Sequence, residues 1–376
     1  MKIFAYYLPQ FHEIKENNEM WGEGFTEWTN VKKALPLFEG HEQPVEPLND
    51  NYYDLLEPEV MEWQARIAKD HGIFAFCFYH YWYNGHLLME KPILQWLNNQ
   101  RINMPYCICW ANHDWTTGWV DKERKIIFSQ DYNDEADWDL HFDFLLPFFK
   151  DERYVKEEGK PLLVIYEAAR IEKMNSMLDR WNELAKLNGL PGLCYAYQCV
   201  TGDTILGFDD SRFTYDIEYQ PMYVREFKYK KSGNRAKNTL KYYAHIIKDK
   251  AFEIIGKDVE KKYKLTVFDY DDIWEKTLEM GPITSKSIPG AFVKIDTTPR
   301  IQERGIVTQG MTPQKFKKYF SRQIKRCRNE YKQDKMFIFA WNEWAEGGYL
   351  EPDKKWGYGV LEAIKTALID NGEFPE

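Results

Sequence analysis

Eight short apolar runs recur along the chain, and helical patterns lie between them. Each run is about as long as a strand, and several are apolar almost throughout, which is typical of a parallel sheet covered on both faces. Eight strands that alternate with helices predict an α/β fold of the (β/α)8 TIM barrel type, with a doubly wound open sheet as the alternative. No GxGxxG sequence follows the first run, which weakens a dinucleotide-binding interpretation. The runs span residues 2–8, 72–79, 106–110, 161–166, 192–198, 213–219, 291–295 and 335–341.

The segments between these runs carry the marks of helices. From 58 to 70, Pro58 stands in the first turn, Trp63 and Ile67 share one face, and Gly72 follows the end. Further helices are predicted near 172–188, 312–330 and 358–370.

A chain of 376 residues has a length that single barrels with insertions commonly reach. We therefore expect one catalytic barrel domain over residues 1–376. Three connections are longer than a barrel requires, and they follow strands one, three and six at 9–53, 111–135 and 220–290. All three would emerge at the C-terminal face of the barrel, where long βα loops usually shape a substrate cleft.

The connection at 220–290 includes a strongly basic excursion. Residues 223–250 hold nine Lys or Arg against two acidic residues, a net charge of +7 in a chain whose total is −9. This pattern fits a solvated helical excursion. It also fits a binding strip for an anionic glycan, a pyrophosphate carrier or a membrane surface.

The remaining composition restricts partners and compartment. A net charge of −9 argues against a general nucleic-acid-binding protein. The N-terminal stretch lacks the layout of a signal peptide, and no run approaches the roughly 20 apolar residues that span a bilayer. The six cysteines include no CxxC pair, so we expect reduced thiols, a cytoplasmic protein and no zinc site. We expect no metal and no other cofactor, and any contact with a membrane would be at its inner face.

Aromatic, amide, carboxylate or imidazole side chains follow nearly every predicted strand. In a parallel barrel these ends meet at one face, so their recurrence predicts a polar pocket lined with rings. Flat rings pack against sugars, which makes a carbohydrate the expected ligand. The candidate substrate-binding residues are Tyr6, Tyr7, His12, Glu27, Trp28, His80, Tyr81, Trp82, Trp110, Asn112, Asp114, Glu218 and Asp296.

The last strand leads into the sequence WNEWAE at 341–346. Two carboxylates therefore stand three residues apart at the catalytic end of the barrel, where a buried charge is costly unless it is used or paired. Cleavage of a glycosidic bond needs one acid to protonate the leaving oxygen and a second carboxylate to act at the sugar. We predict Glu343 and Glu346 as this catalytic pair, with Trp341, Asn342 and Trp344 as substrate-binding residues beside them.

Several long strings are specific enough to point to a family: AYYLPQFH at 5–12, GFTEWTNV at 24–31, FCFYHYWYNG at 76–85, CWAN at 109–112 and WNEWAEGGYLEPD at 341–353. They resemble the WbsX-type proteins of bacterial surface-polysaccharide gene clusters, which are related to glycoside hydrolase family 99. The resemblance runs nearly end to end and implies a (β/α)8 barrel and carbohydrate chemistry. It leaves the reaction open, because WbsX-like proteins are labelled glycosyltransferases whereas their family 99 relatives are retaining endo-acting mannosidases.

The resemblance also implies roles for Asn342, Glu343 and Glu346 in the WNEWAE sequence. Carried over by position from family 99, Glu343 acts as a base toward the sugar 2-hydroxyl, which favours a 1,2-anhydro intermediate over a covalent glycosyl-enzyme. Glu346 protonates the leaving oxygen and then deprotonates the incoming water or acceptor, while Asn342 orients the 2-hydroxyl or Glu343. Such an acid needs a raised pKa, which a neighbouring Trp and the second carboxylate would both favour.

Two strings depart from the family pattern. CWAN is usually followed by Glu-Asn, and here it is followed by His113-Asp114. The usual Asp-Asn-Thr after strand seven is here Asp296-Thr297-Thr298. Both changes lie at the predicted rim of the pocket and bear on which sugar is bound.

Three functions fit these observations. The first is a retaining endo-glycosidase or transglycosylase acting on a mannose-like unit of a bacterial surface glycan or its precursor. The second is a glycosyltransferase that builds an O-antigen or capsular polysaccharide from an activated donor, and the third is a catalytically idle glycan-binding protein. The two glutamates favour an enzyme, and the barrel pattern favours the first function over the second. The expected partner is an oligosaccharide or polysaccharide, with a lipid-linked or anionic glycan as the variant that the basic excursion favours.

Overall fold

A ring of parallel strands forms the centre of the protein, in a computed structural model that describes residues 1–116, 125–200, 208–226 and 265–375. Several of the strands are buried along their whole length, in keeping with their apolar sequences. In chain order, the strands are β1 (Lys2–Tyr7), β2 (Ile73–Tyr83), β3 (His86–Leu88), β4 (Tyr106–Trp110), β5 (Trp115–Thr116), β6 (Ile126–Phe128), β7 (Lys156–Glu157), β8 (Lys160–Ile165), β9 (Cys194–Cys199), β10 (Tyr215–Glu218), β11 (Thr266–Asp269), β12 (Ser287–Ile288), β13 (Gly290–Phe292), β14 (Ile306–Gln309), β15 (Lys335–Phe339), β16 (Asn342–Glu343) and β17 (Gly348–Tyr349).

Nine of these strands pair around the ring in the order β12, β10, β9, β8, β4, β2, β1, β15, β13. The ring nearly closes, because β12 pairs with β10, β13 pairs with β15, and Pro289 alone separates β12 from β13. Proline has no N–H to donate to a ladder, but the Pro289 carbonyl accepts a hydrogen bond from the Phe337 amide at 3.4 Å. The two segments thus act as one interrupted seventh strand, and the predicted (β/α)8 barrel is confirmed.

Two strands differ from the apolar runs that predicted them. The seventh pairs over 287–292 rather than 291–295, because the polar Ser287 takes part in the ladder opposite Asp216. The second continues to Tyr83, four residues beyond the predicted end, and turns back into β3. Apolar runs mark buried side chains, whereas pairing depends on the backbone, so the two need not end together.

Helices surround the ring on its outer side. The predicted helix at 58–70 forms there, and Gly72 follows it with a φ of +87°. A Cβ at Gly72 would lie 2.5 Å from Leu368 Cδ1, so glycine serves both the turn and the close approach of the last helix. The helices are α1 (Lys15–Trp21), α2 (Glu27–Lys33), α3 (Pro58–Asp70), α4 (Lys91–Asn98), α5 (Glu135–Lys150), α6 (Met174–Leu187), α7 (Met222–Val224), α8 (Tyr270–Leu278), α9 (Thr298–Ile301), α10 (Pro313–Asn329) and α11 (Gly359–Asp370).

The interior of the ring changes character along its axis. Near the N-terminal ends of the strands, Phe4 stacks on Phe337 with ring centroids 4.7 Å apart. One layer higher, Tyr6 stacks on Tyr79 at 5.6 Å, and Tyr79 contacts Tyr219 through their hydroxyls at 3.0 Å. The ring is therefore filled by side chains at one end and becomes polar at the other, where a ligand can enter.

The long connections bear on the site to different extents. The first contains α1 and α2, and the described part of the second contains the β5–β6 hairpin. Most of the basic excursion, residues 227–250, lies outside the described residues, so its predicted roles stay predictions. All six cysteines are buried free thiols. Among the described residues, none of the helices combines the length and apolarity needed to cross a membrane.

Candidate active site

A cavity of about 360 Å³ opens at the C-terminal ends of the barrel strands. Its volume lies at the small end of the range typical of ligand sites, about 300–1,000 Å³. Its charged lining comes from the loops after β1, β4, β13 and β15. The charged side chains are Glu27, Asp114, Arg300, Glu343 and Glu346, and the rings are Trp21, Phe25, Tyr79, Tyr81, His113, Trp115, Tyr166 and Tyr219.

Arg300 lies at the centre of the charged lining and contacts three carboxylates. Its Nε and Nη2 donate to Glu27 Oε1 at 2.9 and 2.7 Å. Nη2 also donates to Glu343 Oε2 at 3.0 Å, and Nη1 donates to Glu346 Oε1. Glu343 and Glu346 therefore sit side by side against two nitrogens of one guanidinium.

Burial and charge set the protonation of this cluster. Burial raises the pKa of Glu343 to about 8, against the opposing effect of Arg300, and it also raises the pKa of Glu27. Burial acts to lower the pKa of Arg300, but Glu27, Glu346 and Glu343 together hold it well above its ordinary value. Arg300 thus stays charged, while Glu343 beside it retains its proton near neutral pH.

The two glutamates take their positions from a tight turn after the last strand. Glu343 lies on β16, which pairs antiparallel with β17, and Glu346 ends the single 3-10 turn that follows. Gly347 continues this turn with a φ of +70°, and a Cβ there would lie 2.7 Å from the Asp296 amide nitrogen. That amide donates to the Glu346 carbonyl at 2.7 Å. Only glycine allows the turn to approach the Asp296 backbone so closely.

The tryptophans of the WNEWAE sequence do not line the cavity. Trp341 and Trp344 are fully buried, and their indole N–H groups donate to the two oxygens of Glu351 at 3.1 and 2.6 Å. Tyr53 and Gln64 donate to the same carboxylate at 2.8 and 2.7 Å. These tryptophans therefore anchor the turn to the buried Glu351 carboxylate. Neither of them provides the sugar platform expected from the sequence.

Amide and carboxylate residues expected at the pocket instead fix the loops around it. The side-chain amide of Asn342 bonds the backbone of Leu8 through both of its polar atoms. Its oxygen accepts from the Leu8 amide at 2.7 Å, and its nitrogen donates to the Leu8 carbonyl at 2.9 Å. Asn112 makes the same double contact with the backbone of Glu167 at 2.7 and 3.0 Å. Asp296 accepts from Gln43 at 2.7 Å and contacts His41 at 2.8 Å. Asn342 therefore fixes the loop at Leu8 through both ends of its amide and is not among the residues that line the cavity.

Alternation along the strands explains why other candidates lie outside the cavity. Successive side chains of a strand point to opposite faces, so Tyr79 and Tyr81 face the barrel interior while His80 and Trp82 face α5. His80 contacts His141 through their Nε2 atoms at 2.9 Å, and burial lowers its pKa to about 3. Trp82 donates to Asp137 at 2.9 Å.

The remaining candidates are placed by similar contacts. Tyr7 faces outward and donates to Gln64 at 2.6 Å, whereas Tyr6 faces inward but lies below the cavity. Trp110 packs against His141, and Trp28 donates to the Tyr53 carbonyl at 2.9 Å. His12 contacts the Pro9 carbonyl, and Glu218 accepts from Tyr331 at 2.9 Å. Of the eighteen residues predicted for the site, the cavity brings together Glu27, Tyr81, Asp114, Glu343 and Glu346.

The prediction from the sequence also missed several residues that line the cavity. Arg300 follows strand seven, and its position after Asp296 at a strand end was a signal for it. Tyr79 and Tyr219 could have been assigned from alternation, since Tyr79 lies two residues before Tyr81. Trp21 and Phe25 lie in the first long loop and line the mouth of the cavity.

Comparisons with known proteins agree with this fold. The structure resembles the GH99 endo-alpha-mannosidase from Bacteroides thetaiotaomicron with a TM-score of 0.57, at 11% identity over 98% of this chain and 96% of that one. It resembles a solved glycoside hydrolase-like protein with a TM-score of 0.55, at 12% identity over 97% and 93% of the two chains. At these identities the likeness concerns the fold alone.

Sequence relatives lie in Xanthomonas campestris pv. campestris. Two strains have an uncharacterized protein WxcX that is 33% identical over 375 residues, which is 97% of this chain. The chain spans about half the length of these relatives, 49% in each case. The profile of the family described as Glycosyltransferase WbsX matches residues 3–364. The chain therefore belongs to the WbsX glycosyltransferase family.

Proposed function

We propose that this protein is a retaining endo-glycosidase or transglycosylase that acts on a mannose-like unit of a bacterial surface glycan or its precursor. The WbsX family and the barrel fold support a carbohydrate-active enzyme of polysaccharide biosynthesis. The observation that carries the finer proposal is the pair of glutamates on one buried guanidinium in a ring-lined cavity. Two carboxylates in one pocket are the groups that glycosidic chemistry requires.

The different burial of the two glutamates supports different roles for them. The Glu343 side chain is 6% exposed and that of Glu346 is 16% exposed. The more exposed Glu346 can reach a leaving oxygen that points toward the mouth of the cavity. The less exposed Glu343 is suited to receive a proton from the 2-hydroxyl of a sugar bound against the tyrosines that line the cavity. These are the roles that similarity to family 99 implies.

The proton arrangement is compatible with these roles. Burial raises the pKa of Glu343 to about 8, so the free protein carries a proton on Glu343 near neutral pH. Reaction requires that proton on Glu346 and an ionised Glu343. A bound sugar that donates its 2-hydroxyl to Glu343 would favour this arrangement, because it stabilises the ionised form of Glu343.

The aromatic lining supports a sugar as the ligand. Trp21 and Trp115 meet edge to face at 6.2 Å, and Trp21 packs on Phe25 at 5.0 Å. Tyr81 packs on Trp115 at 5.3 Å on the opposite side. Such a wall offers apolar ring surface beside polar groups, which is the combination that sugar binding uses.

A glycosyltransferase is the second candidate, and the description of the family is what favours it. The same two glutamates would then transfer a sugar from an activated donor. A cytoplasmic site of action and a lipid-linked substrate stay predictions from the free thiols and from the basic excursion.

Mass spectrometry of glycan products tests the proposal. The wild type, Glu343→Gln and Glu346→Gln are incubated with free and lipid-linked mannose-containing and bacterial surface oligosaccharides, and separately with nucleotide sugars. We expect shortened or transferred glycans from the wild type alone, with faster turnover of lipid-linked substrates. Turnover of a nucleotide sugar without any turnover of a glycan would instead establish the glycosyltransferase.

A further inference from the structure

We infer that Glu27 and Arg300 form a fixed positioning pair that holds Glu343 and Glu346 side by side and sets how readily Glu343 ionises. This inference rests on the proposed function for its meaning in catalysis. Its physical content, a device that controls the protonation of two adjacent acids, concerns the free protein and is measurable without a substrate.

Arg300 is held more firmly by Glu27 than by either acid of the catalytic pair. Glu27 accepts from two nitrogens of the guanidinium, at 2.9 and 2.7 Å, whereas Glu343 and Glu346 each accept from one. Glu27 is 1% exposed and the Arg300 side chain is 9% exposed. Two close donors and exclusion of water fix the direction in which the guanidinium points.

Both members of the pair are anchored at the backbone. Glu27 begins α2, where Thr26 and Thr29 form a reciprocal capping box, and the backbone amide of Ala345 also stabilises its carboxylate. Arg300 lies on α9, whose first residue, Thr298, donates to Asp296 from its amide at 3.1 Å and from its hydroxyl at 2.6 Å. The loop 34–53 holds Asp296 in turn through His41 and Gln43. The pair is therefore part of the scaffold rather than a mobile contact.

The charges of the cluster explain why a pair is needed and not a single arginine. One guanidinium faces three carboxylates, so full ionisation would leave an excess of negative charge in a buried site. The negative charge of Glu27 opposes ionisation of Glu343, while the positive charge of Arg300 favours it. The balance of these two charges therefore sets the proton affinity of Glu343 beside Glu346.

Tyrosines are the other titratable groups that face Glu343. The hydroxyls of Tyr79 and Tyr81 on β2, Tyr166 after β8 and Tyr219 after β10 interact with it electrostatically. Burial holds the pKa of each well above its ordinary value, so they stay neutral over the pH range of interest. His113 and Asp114 also line the cavity. Glu27 and Arg300 are therefore the charged groups in direct contact with the catalytic pair among the described residues.

Carbon-13 NMR of protein labelled at the glutamate carboxyl carbons tests the inference. The carboxyl titrations are followed in the wild type, Glu27→Gln and Arg300→Gln, with Glu343→Gln and Glu346→Gln as assignment variants. We expect Glu27→Gln to lower the proton affinity of the catalytic pair roughly tenfold and Arg300→Gln to raise it by a similar factor. Opposite shifts follow from charge, and a loss of packing alone would not produce them.

Two further variants make the test decisive. Glu275→Gln removes one partner of the exposed Glu275–Arg322 ion pair, whose atoms lie 2.6 Å apart, and it should leave the catalytic titration unchanged. Arg300→Lys keeps the positive charge, so it should shift the titration less than Arg300→Gln does. If Arg300→Gln fails to fold, the comparison of Arg300→Lys with Glu27→Gln tests the inference instead. An unchanged titration in Glu27→Gln, or shifts in the same direction for Glu27→Gln and Arg300→Gln, would overturn the inference. Because no turnover is measured, that result is separate from a failure of the proposed function.

Discussion

At the scale of single residues, the site is governed by the competition of three acids for Arg300. The sequence pointed to Glu343 and Glu346 as the candidate catalytic pair, because two acids at the end of a barrel strand have little structural reason to be there. It also proposed Glu27. Arg300 escaped notice, since the sequence shows that a basic residue follows strand seven but not that its guanidinium lies between acids from two other loops. That proximity depends on the path of the loops in three dimensions.

Glu343→Gln should make stability less dependent on pH. The pKa of Glu343 in the folded protein is about 8, above an unfolded value of about 4.3, so the folded wild type binds the extra proton. Its contribution is fully present below pH 4 and is lost as the pH rises toward 8. Glutamine cannot ionise and loses nothing over this range.

Urea denaturation at pH 5, 6.5 and 8 checks this expectation. The free energy of unfolding of Glu343→Gln should rise relative to the wild type between pH 5 and pH 8, with each unit of pKa difference worth about 1.4 kcal/mol. Glu275→Gln is the surface control and should show no such trend. A difference between Glu343→Gln and wild type that stays constant with pH would contradict the burial argument.

At the scale of elements, the alternation of strand side chains decides which residues reach the cavity. The barrel and its main outer helices were predictable, because apolar runs and helix signals are local properties of the sequence. The assignment of His80 and Trp82 to the pocket was not supported, because β2 continues to Tyr83 and directs both side chains toward α5. The predicted end at residue 79 had placed them in a loop, where alternation gives no guidance.

Glu351→Gln should destabilise the turn that carries the catalytic pair. The Glu351 carboxylate accepts from Tyr53, Gln64, Trp341 and Trp344, so an amide nitrogen in place of either oxygen would face two donors. Buried donors left without acceptors cost about 1–3 kcal/mol each. We therefore expect a loss of about 2–5 kcal/mol in the free energy of unfolding, measured by urea denaturation at pH 8.

The matched control for that change is Glu362→Gln. Glu362 has a side chain that is 59% exposed and contacts His71 at 3.3 Å, so its loss should be small. A loss in Glu351→Gln no larger than that in Glu362→Gln would show that Glu351 does not hold the tryptophans in place.

At the scale of the whole molecule, the barrel carries its site on long loops that follow its strands. Loop 9–53 supplies Trp21, Phe25 and Glu27, and the loop after β4 supplies His113, Asp114 and Trp115. His113-Asp114 stands where the family usually has Glu-Asn, and the structure places both side chains in the wall of the cavity. This departure is therefore suited to change which sugar is bound while the catalytic pair stays in place.

The central claim is that Glu346 is the acid and Glu343 the base of glycosidic chemistry. It is tested most directly with two substrates of different leaving group: the glycan that the wild type processes, and the glycosyl fluoride of the same sugar. Loss of a general acid slows a reaction by roughly 10²–10⁴-fold, but a fluoride leaves without a proton. Because Glu346 also serves as the base in the second step, fluoride release is measured in a single turnover. Glu346→Gln should therefore lose turnover of the glycan and keep most of the rate of its first fluoride release, whereas Glu343→Gln should lose both. Equal impairment of Glu346→Gln on the two substrates, or full activity of Glu343→Gln on either, would contradict the account.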